Sequence, residues 1–160
     1  LFTTAGAKVH IGPVKTFAGT DFIDTDFTTG SPTWTEIGGL TDMGTFGDTA
    51  TLVTSDQIGN RRTRKAKGSR NAGSWAIVAD LDYADPGQIA LIAAEKTDDT
   101  YSIRVTFDDA PAGGTPSIRY FTALVMATPE QLGGANDAMK LNMTLEIDSN
   151  VVRVAAAAGG

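Results

Sequence analysis

The sequence contains no cysteine and a single histidine, His10. The lack of cysteine excludes disulfides and thiolate metal ligands, and one histidine cannot build a histidine-rich metal site. A Ser-His-Asp triad could be built only on His10, and no nucleophile-elbow glycine pattern accompanies it. Phosphate-binding glycine loops are missing too, which leaves a two-carboxylate glycosidase as the remaining catalytic option. We therefore expect no enzyme, no cofactor and no metal site.

Long apolar runs and long helical periodicity are also missing. No segment approaches the roughly 18 apolar residues of a membrane span, so we expect neither a span nor a signal peptide. Glycine (18 residues) and threonine are frequent instead, which is typical of a mainly β protein with many turns. At 160 residues we predict one domain, residues 1–154, with a flexible C-terminal tail at 155–160.

Positive charge is scarce outside one short segment. Residues 61–70 hold six of the thirteen Lys and Arg residues: Arg61, Arg62, Arg64, Lys65, Lys67 and Arg70. The rest of the chain carries seven basic against nineteen acidic side chains, a net charge of −12. Like charges repel and this segment has little to bury, so we predict that residues 54–73 form a basic arm without structure of its own. Loops of this length are usually functional or disordered.

Three interpretations of the basic arm compete. It could be a solvated flexible loop, it could bind nucleic-acid phosphates, or it could dock on an acidic surface of a neighbouring protein. The acidic remainder of the same chain offers such a surface, so self-association accounts for both halves of the charge distribution. Nucleic-acid binding accounts for only one half, and the net charge of −6 argues against a duplex-DNA binder.

Several acidic residues are candidates for the partner of the arm. They are Asp21, Asp24, Asp26, Asp80, Asp82 and Glu146. The first three lie in a polar segment at 19–32, whose spacing lacks the glycine and the terminal glutamate of an EF-hand loop. We therefore interpret that segment as a solvated loop or a partner for the arm.

Local patterns predict one helix and several strands. Asp85 is placed as N-cap, Pro86 at the first helical position and Gln88 in a capping-box position, with Ile89, Ile92 and Ala93 as the apolar face. Alternating apolar residues predict strands at 74–83, 101–107 and 139–147, and residues 117–126 are apolar on both faces. The predicted fold is mainly β: a β-sandwich or barrel with one flanking helix and a long arm between two strands.

Five stretches occur in an order and spacing known from one family. They are a strand and turn at Trp34–Gly44, the close of the arm at Lys67–Trp75, the helix start at Asp85–Leu91, and strands at Tyr101–Phe107 and Tyr120–Val125. In this order the chain resembles the major tail tube protein of long-tailed, non-contractile (siphovirus-type) phages, or of phage-like gene transfer agents. The resemblance covers roughly Trp34–Val154 and depends on the whole set.

The resemblance implies a structural subunit whose hexameric rings stack into a hollow tube, the conduit for genome delivery into the host cell. It implies a place in the virion tail after assembly in the bacterial cytoplasm, with tail tip, tape-measure and terminator proteins as partners. DNA would pass through the lumen without specific binding, and the basic arm would contact the adjacent ring or subunit. The acidic residues named above as partners of the arm are then also candidates for the lining of the lumen. A type VI secretion-like tube subunit and a small nucleic-acid-binding module that uses the arm are the alternatives.

Overall fold

The computed structural model describes all 160 residues, in eleven strands and two helices. The strands are β1 Lys8–Val14, β2 Thr35–Glu36, β3 Leu40–Asp42, β4 Thr49–Ser55, β5 Arg64–Asn71, β6 Ser74–Asp80, β7 Tyr101–Thr106, β8 Ile118–Ala127, β9 Glu130–Gln131, β10 Lys140–Ile147 and β11 Val152–Val154. The helices are α1 Thr25–Thr28 and α2 Pro86–Glu95. Neither helix combines the length and apolarity needed to cross a membrane.

Nine strands form one antiparallel sheet that closes on itself. The main order is β2-β1-β7-β8-β10-β6-β3, with β11 added beside β8 and β9 beside β10. The two outermost strands, β2 and β3, are separated in the chain only by Ile37–Gly39, a link that can span at most about 14 Å. The opposite edges of the sheet must therefore meet, and the sheet forms a barrel. The prediction of a mainly β barrel or sandwich with a flanking helix is confirmed.

The interior of the barrel is filled by the period-two residues of its strands. Trp75 and Ile77 of β6 face Leu145 and Met143 of β10 in the pairing register, and all four are fully buried. The Trp75 ring meets Phe121 of β8 edge to face at 5.5 Å between ring centroids. The predicted inward face of β6 is confirmed as far as Ala79, but Tyr83 lies beyond the strand end in an exposed turn.

Helix α2 begins as predicted, because the Asp85 side chain accepts a hydrogen bond from the Gln88 amide (2.9 Å). The Gln88 side chain does not complete a capping box. Its amide group donates to the carbonyl oxygens of Gly38 (3.0 Å) and Asp80 (2.9 Å), and its oxygen accepts from the Asp82 amide (3.0 Å). This buried side chain ties the helix to the β2–β3 link and to the end of β6.

The buried face of α2 differs from the predicted one. Gly87, Gln88, Leu91 and Ala94 point inward, whereas Ile89 is half exposed, so its predicted core position is wrong. The reason is a close backbone approach at Gly87, where a Cβ atom would lie 2.2 Å from the Glu36 carbonyl oxygen. Only glycine allows the helix to lie this near β2, and that contact fixes the rotation of the helix about its axis.

The two ends of the barrel are chemically different. Strand β6 ends and strand β7 begins at the same end of the barrel. Helix α2 connects these two strands in the chain and covers this end, which we call the helix end. At the opposite end β6 and β8 begin, and β4 and β5 leave the barrel there between β3 and β6; we call it the hairpin end. The helix and the basic segment therefore lie at opposite ends of the barrel.

The basic segment is a β-hairpin and not a structureless arm. Strands β4 and β5 form a separate two-stranded antiparallel sheet, so the prediction of an unstructured 54–73 segment is wrong for the half of it that lies in these strands. The cations are compatible with a strand because each paired one faces an uncharged residue across the ladder: Ala50 opposite Arg70, Leu52 opposite Lys67, Thr54 opposite Lys65 and Ser55 opposite Arg64. Like charges directly opposite one another would destabilise the strand pair, and the hairpin contains no such pair.

The C-terminal residues, predicted to form a flexible tail, are attached to the hairpin end. Strand β11 pairs with β8, and beyond it Thr115 and Ala157 exchange two backbone hydrogen bonds of 2.8 and 3.1 Å. The Ala156 amide also donates to the Ser117 hydroxyl (3.2 Å). The predicted tail at 155–160 is therefore paired up to Ala157.

Candidate functional site

The hairpin, residues 49–71, is the most exposed ordered element of the molecule. It exposes Leu52 (63%) and Val53 (49%), and Ile58 in its turn is fully exposed. An isolated two-stranded hairpin is only marginally stable in water, and apolar side chains placed among charges on a surface mark an interaction site. The hairpin therefore has the properties of a segment that is completed by a partner.

A β-bulge sorts the hairpin side chains onto two faces. Lys65 and Lys67 share one face, and strict alternation would place Ser69 beside them. The register shift between Ala50 and Leu52 instead pairs Ala50 with Arg70, so Arg70 joins the two lysines on what we call the cationic face. The opposite face carries smaller, mostly uncharged side chains: Thr51, Val53, Ser55, Arg64, Ala66 and Gly68.

Gly68 lies where the two strands of the hairpin approach most closely. A Cβ atom there would lie 3.0 Å from the Val53 Cγ2 atom and 3.3 Å from the Thr51 carbonyl oxygen. Glycine thus leaves room for the bulge that turns Arg70 toward the two lysines.

All six predicted cations lie on the hairpin, and none is paired within the subunit. Arg61 and Arg62 are in the turn, and the other four are on β5. The one ion pair of the molecule joins Lys140 to Asp80, far along the sheet from the hairpin. Arg70 lines a hollow of about 320 Å³ at the root of the hairpin together with Asp21 and Asp148, but no carboxylate lies within ion-pair distance of it.

The predicted acidic residues do not form one surface. Asp21, Asp24 and Asp26 belong to the segment around α1, where Asp26 accepts a hydrogen bond from the Ile23 amide (2.8 Å). Asp80 and Asp82 lie at the helix end, while Glu146 lies near the hairpin end and accepts from the Ser74 hydroxyl. No group of three or more potential metal ligands converges anywhere in the chain. The assignment of these acids to a lumen stays a prediction.

Sequence reasoning placed Asp21–Asp26 in a solvated loop and missed the aromatic cluster beneath it. Phe27 of α1 is buried and stacks on Tyr120 of β8, with 5.2 Å between ring centroids and an angle of 7° between the planes. Phe22 meets Phe27 edge to face at 5.1 Å. The segment thus covers the outer face of the barrel, and the phenylalanines at every fifth position (Phe17, Phe22 and Phe27) were the signal for it.

The helix end gathers acidic residues that the sequence scattered over several turns. Residues 80–99 and 127–140 contain eight acidic and two basic side chains, a net charge of −6. The acids are Asp80, Asp82, Asp85, Glu95, Asp98, Asp99, Glu130 and Asp137. Leu132 (56% exposed) and Met139 (52% exposed) lie among them. The pairs of acids were visible in the sequence as turn residues, but only the strand order brings them to one end.

A hollow of about 610 Å³ lies at the hairpin end of the barrel. Its walls are apolar at Met43, Phe46 and Phe107, and the charged residues Asp109 and Arg119 also line it.

The charged groups of Asp109 and Arg119 both have hydrogen-bond partners within the subunit. Hydrogen bonds from the Ser117 hydroxyl (2.6 Å) and amide (2.7 Å) lower the pKa of Asp109. Burial, and next the neighbouring Arg153, lower the pKa of Arg119, which donates to the Ile118 and Val154 carbonyl oxygens. The arrangement is that of a structural cap on the core.

His10, the one histidine, lies on the outer face of β1 between Glu36 of β2 and Arg104 of β7. Its Nδ1 atom is buried without a hydrogen-bond partner, and the Arg104 guanidinium lies over the Trp34 ring at 4.9 Å. Burial and then the Arg104 charge lower the pKa of His10 below its ordinary value of 6.5. No serine or carboxylate is hydrogen-bonded to His10 to make it a catalytic base.

We expect the lowered His10 pKa to make the protein less stable in mild acid. As pH falls below the ordinary value, the unfolded chain binds a proton before the folded one does, so the free energy of unfolding decreases until the folded pKa is reached. Urea unfolding at about pH 7 and about pH 5.5 measures this fall, and His10→Gln should make it shallower. An identical fall in both proteins would mean that other groups cause it.

Comparison with known proteins gives matches in structure alone. No protein-family model and no curated protein matches the sequence. A chain of the anti-feeding prophage baseplate superposes with a TM-score of 0.67 at 12% identity, covering 93% of this chain and 92% of that one. The SPP1 tail tube gives 0.65 at 13% identity, with 97% and 80% covered. The sheath/tube terminator of the extracellular contractile injection system PVC gives 0.65 at 10% identity, with 97% of each chain covered.

These likenesses extend over almost the whole chain and confirm the expected fold. The identities of 10–13% establish a shared architecture and leave the role of individual residues to be argued from this structure. The fold described above, a closed barrel with a covering helix, is therefore a tail-tube fold.

Proposed function

We propose that the protein is the structural subunit of a tail tube, in a phage or a phage-derived particle. Its hexameric rings stack into a hollow conduit that lies in the virion tail and delivers the genome into the host cell. One observation carries this proposal: the likeness to the SPP1 tail tube extends over 97% of the chain.

The distribution of chemical groups supports a structural role. The Nδ1 atom of the single histidine is buried without a partner, and Asp109 at the hairpin-end hollow accepts two hydrogen bonds from Ser117. The hairpin, by contrast, has six cations and three large apolar side chains without partners in the subunit. Unpaired cations and exposed apolar side chains find partners when subunits associate, and they do not form a catalytic site. We therefore assign the protein no enzymatic activity.

Two alternatives have support of their own. The matches to the anti-feeding prophage and PVC structures support a tube-forming subunit of a contractile or type VI-like injection system. The shared face of Lys65, Lys67 and Arg70 supports phosphate binding by the hairpin. The acidic charge of the rest of the chain would repel nucleic acid, and this favours the tube.

Negative-stain electron microscopy of the concentrated protein at low and high salt tests the proposal. We expect hollow tubes or six-fold rings, and shorter tubes at high salt because salt screens attraction between exposed charges. Added duplex DNA serves as the comparison, since a binding module would associate with DNA and not with itself. Single subunits at every concentration and at both salt levels would contradict the proposed function.

A further inference from the structure

We infer that the helix end of the barrel is the surface that receives the hairpin of a second copy of this chain. This inference rests on the proposed function, because it names the partner surface for stacking. Three properties of the helix end support this assignment: its position, its charge and its exposed apolar surface.

Position comes first. The hairpin leaves the barrel at one end, and α2 with the loops around it covers the other. A contact between unlike ends of identical subunits is heterologous, and a heterologous contact along an axis repeats without closing. A subunit that stacks needs its two contact surfaces at opposite ends, and the hairpin and the helix end meet this requirement.

Charge is complementary between the two surfaces. The hairpin, residues 49–71, carries six basic side chains and Asp56, a net charge of +5. The helix-end segments, residues 80–99 and 127–140, have a net charge of −6. Complementary potentials of this kind direct association and fix its orientation, while contact between two like ends is disfavoured by repulsion.

An apolar row lies at the helix end as well, exposed at Leu132 and Met139 and half-buried against the core at Leu81. In the pairing register Lys140 of β10 lies opposite Asp80 of β6 and Gln131 of β9. One residue further toward the helix end, Met139 is flanked in the same way by Leu81 and Leu132. The Leu81 amide donates to the Met139 carbonyl oxygen (2.9 Å), which extends the ladder to this row. Leu132 and Met139 stay more than half exposed, and Ile58 and Leu52 of the hairpin provide matching apolar side chains.

Glu130 lies beside this row and is free to bind a cation. The Asp80 carboxylate is already paired with Lys140, and Asp137 accepts a hydrogen bond from the Gly134 amide (2.7 Å). Glu130 makes no side-chain hydrogen bond and is exposed on the short strand β9, two residues from Leu132. We therefore place the contact of the hairpin arginines at Glu130.

A mixing experiment with two variants tests the inference. The receiver variant carries Glu130→Lys and Leu132→Lys, and the hairpin variant carries Arg61→Glu, Arg62→Glu and Arg64→Glu. Each variant alone should fail to stack. The equimolar mixture should regain assemblies at least about twice the mass of either variant alone, because the intact hairpin of one meets the intact helix end of the other. Light scattering after size exclusion measures the mass, and electron microscopy identifies the assembly.

The matched control is Ile23→Lys with Asp24→Lys, which makes the same chemical change on the outer segment around α1, where Ile23 is 60% exposed. This control should stack normally. Two results would overturn the inference while the wild type still forms tubes: tubes from the receiver variant alone, or no gain in mass from the mixture. In either case the proposed function stands. Equal loss in the control variant would also overturn the inference. If the wild type never associates, both fail.

Discussion

We expect the combined substitutions Arg61→Glu, Arg62→Glu and Arg64→Glu to abolish stacking and to leave the barrel folded. The three reversals change the hairpin from a net charge of +5 to −1, and they place this charge against a surface of −6. All three side chains are exposed, and none has an ion-pair partner within the subunit, so the barrel loses no internal contact. Attraction between the two ends becomes repulsion, and only the assembly is affected.

Three measurements check this result. Sedimentation velocity and electron microscopy report the assembly, and circular dichroism with a thermal melt reports the fold. The matched control is Arg61→Lys, Arg62→Lys and Arg64→Lys, which keeps the charge and should still stack. Tubes of normal length from the Glu variant would contradict the prediction. Normal tubes combined with a loss of DNA affinity and of its salt dependence would assign the hairpin to nucleic acid instead.

Trp75→Ala should have the largest effect on stability of any single substitution, a loss of about 3–5 kcal/mol. Trp75 is fully buried in the barrel interior and meets Phe46 (5.3 Å) and Phe121 (5.5 Å) edge to face. Its indole nitrogen donates to the Met43 carbonyl oxygen (2.7 Å). Alanine removes the ring, leaves a cavity between two aromatic residues and deprives the link from β3 to the hairpin of its anchor.

Urea unfolding of the wild type and three variants measures the effect. Trp75→Phe keeps an aromatic ring and loses the hydrogen bond, so we expect a smaller loss of about 1–2 kcal/mol. Ala76→Ser changes the neighbouring exposed position on the other face of β6 and should stay within about 0.5 kcal/mol of the wild type. A loss below about 1.5 kcal/mol for Trp75→Ala would mean that the barrel collapses around the missing ring, contrary to this account.

The local elements were predictable because their causes are local. Period-two alternation identified β6, β7 and β10, since each buries one apolar face in the barrel and, with few exceptions, keeps its other face less buried. Asp85 and Pro86 identified the start of α2, because capping involves residues within one turn of each other. The order of these elements also predicted a sandwich or barrel with one flanking helix, and the structure agrees with it.

The missed features depend on contacts between distant residues. The face of α2 is set by Gly87 against Glu36, about fifty residues away in the chain, and no helical pattern contains that information. The hairpin was missed because repulsion within β5 was considered without β4, whose uncharged residues separate the cations. The acidic helix end exists only after β6, β9 and β10 have paired, so the predicted set of acids was spread over unrelated surfaces.

The placement of the hairpin and the helix at opposite ends of the barrel gives any stack of these subunits a direction of growth. However long the stack is, its first layer shows basic hairpins without a receiver, and its last layer shows acidic helix ends without a hairpin. The protein that starts growth and the protein that stops it must therefore present opposite charges, and neither can replace the other. Because every layer added leaves the same free ends, the subunit itself cannot count, and length must be imposed from outside.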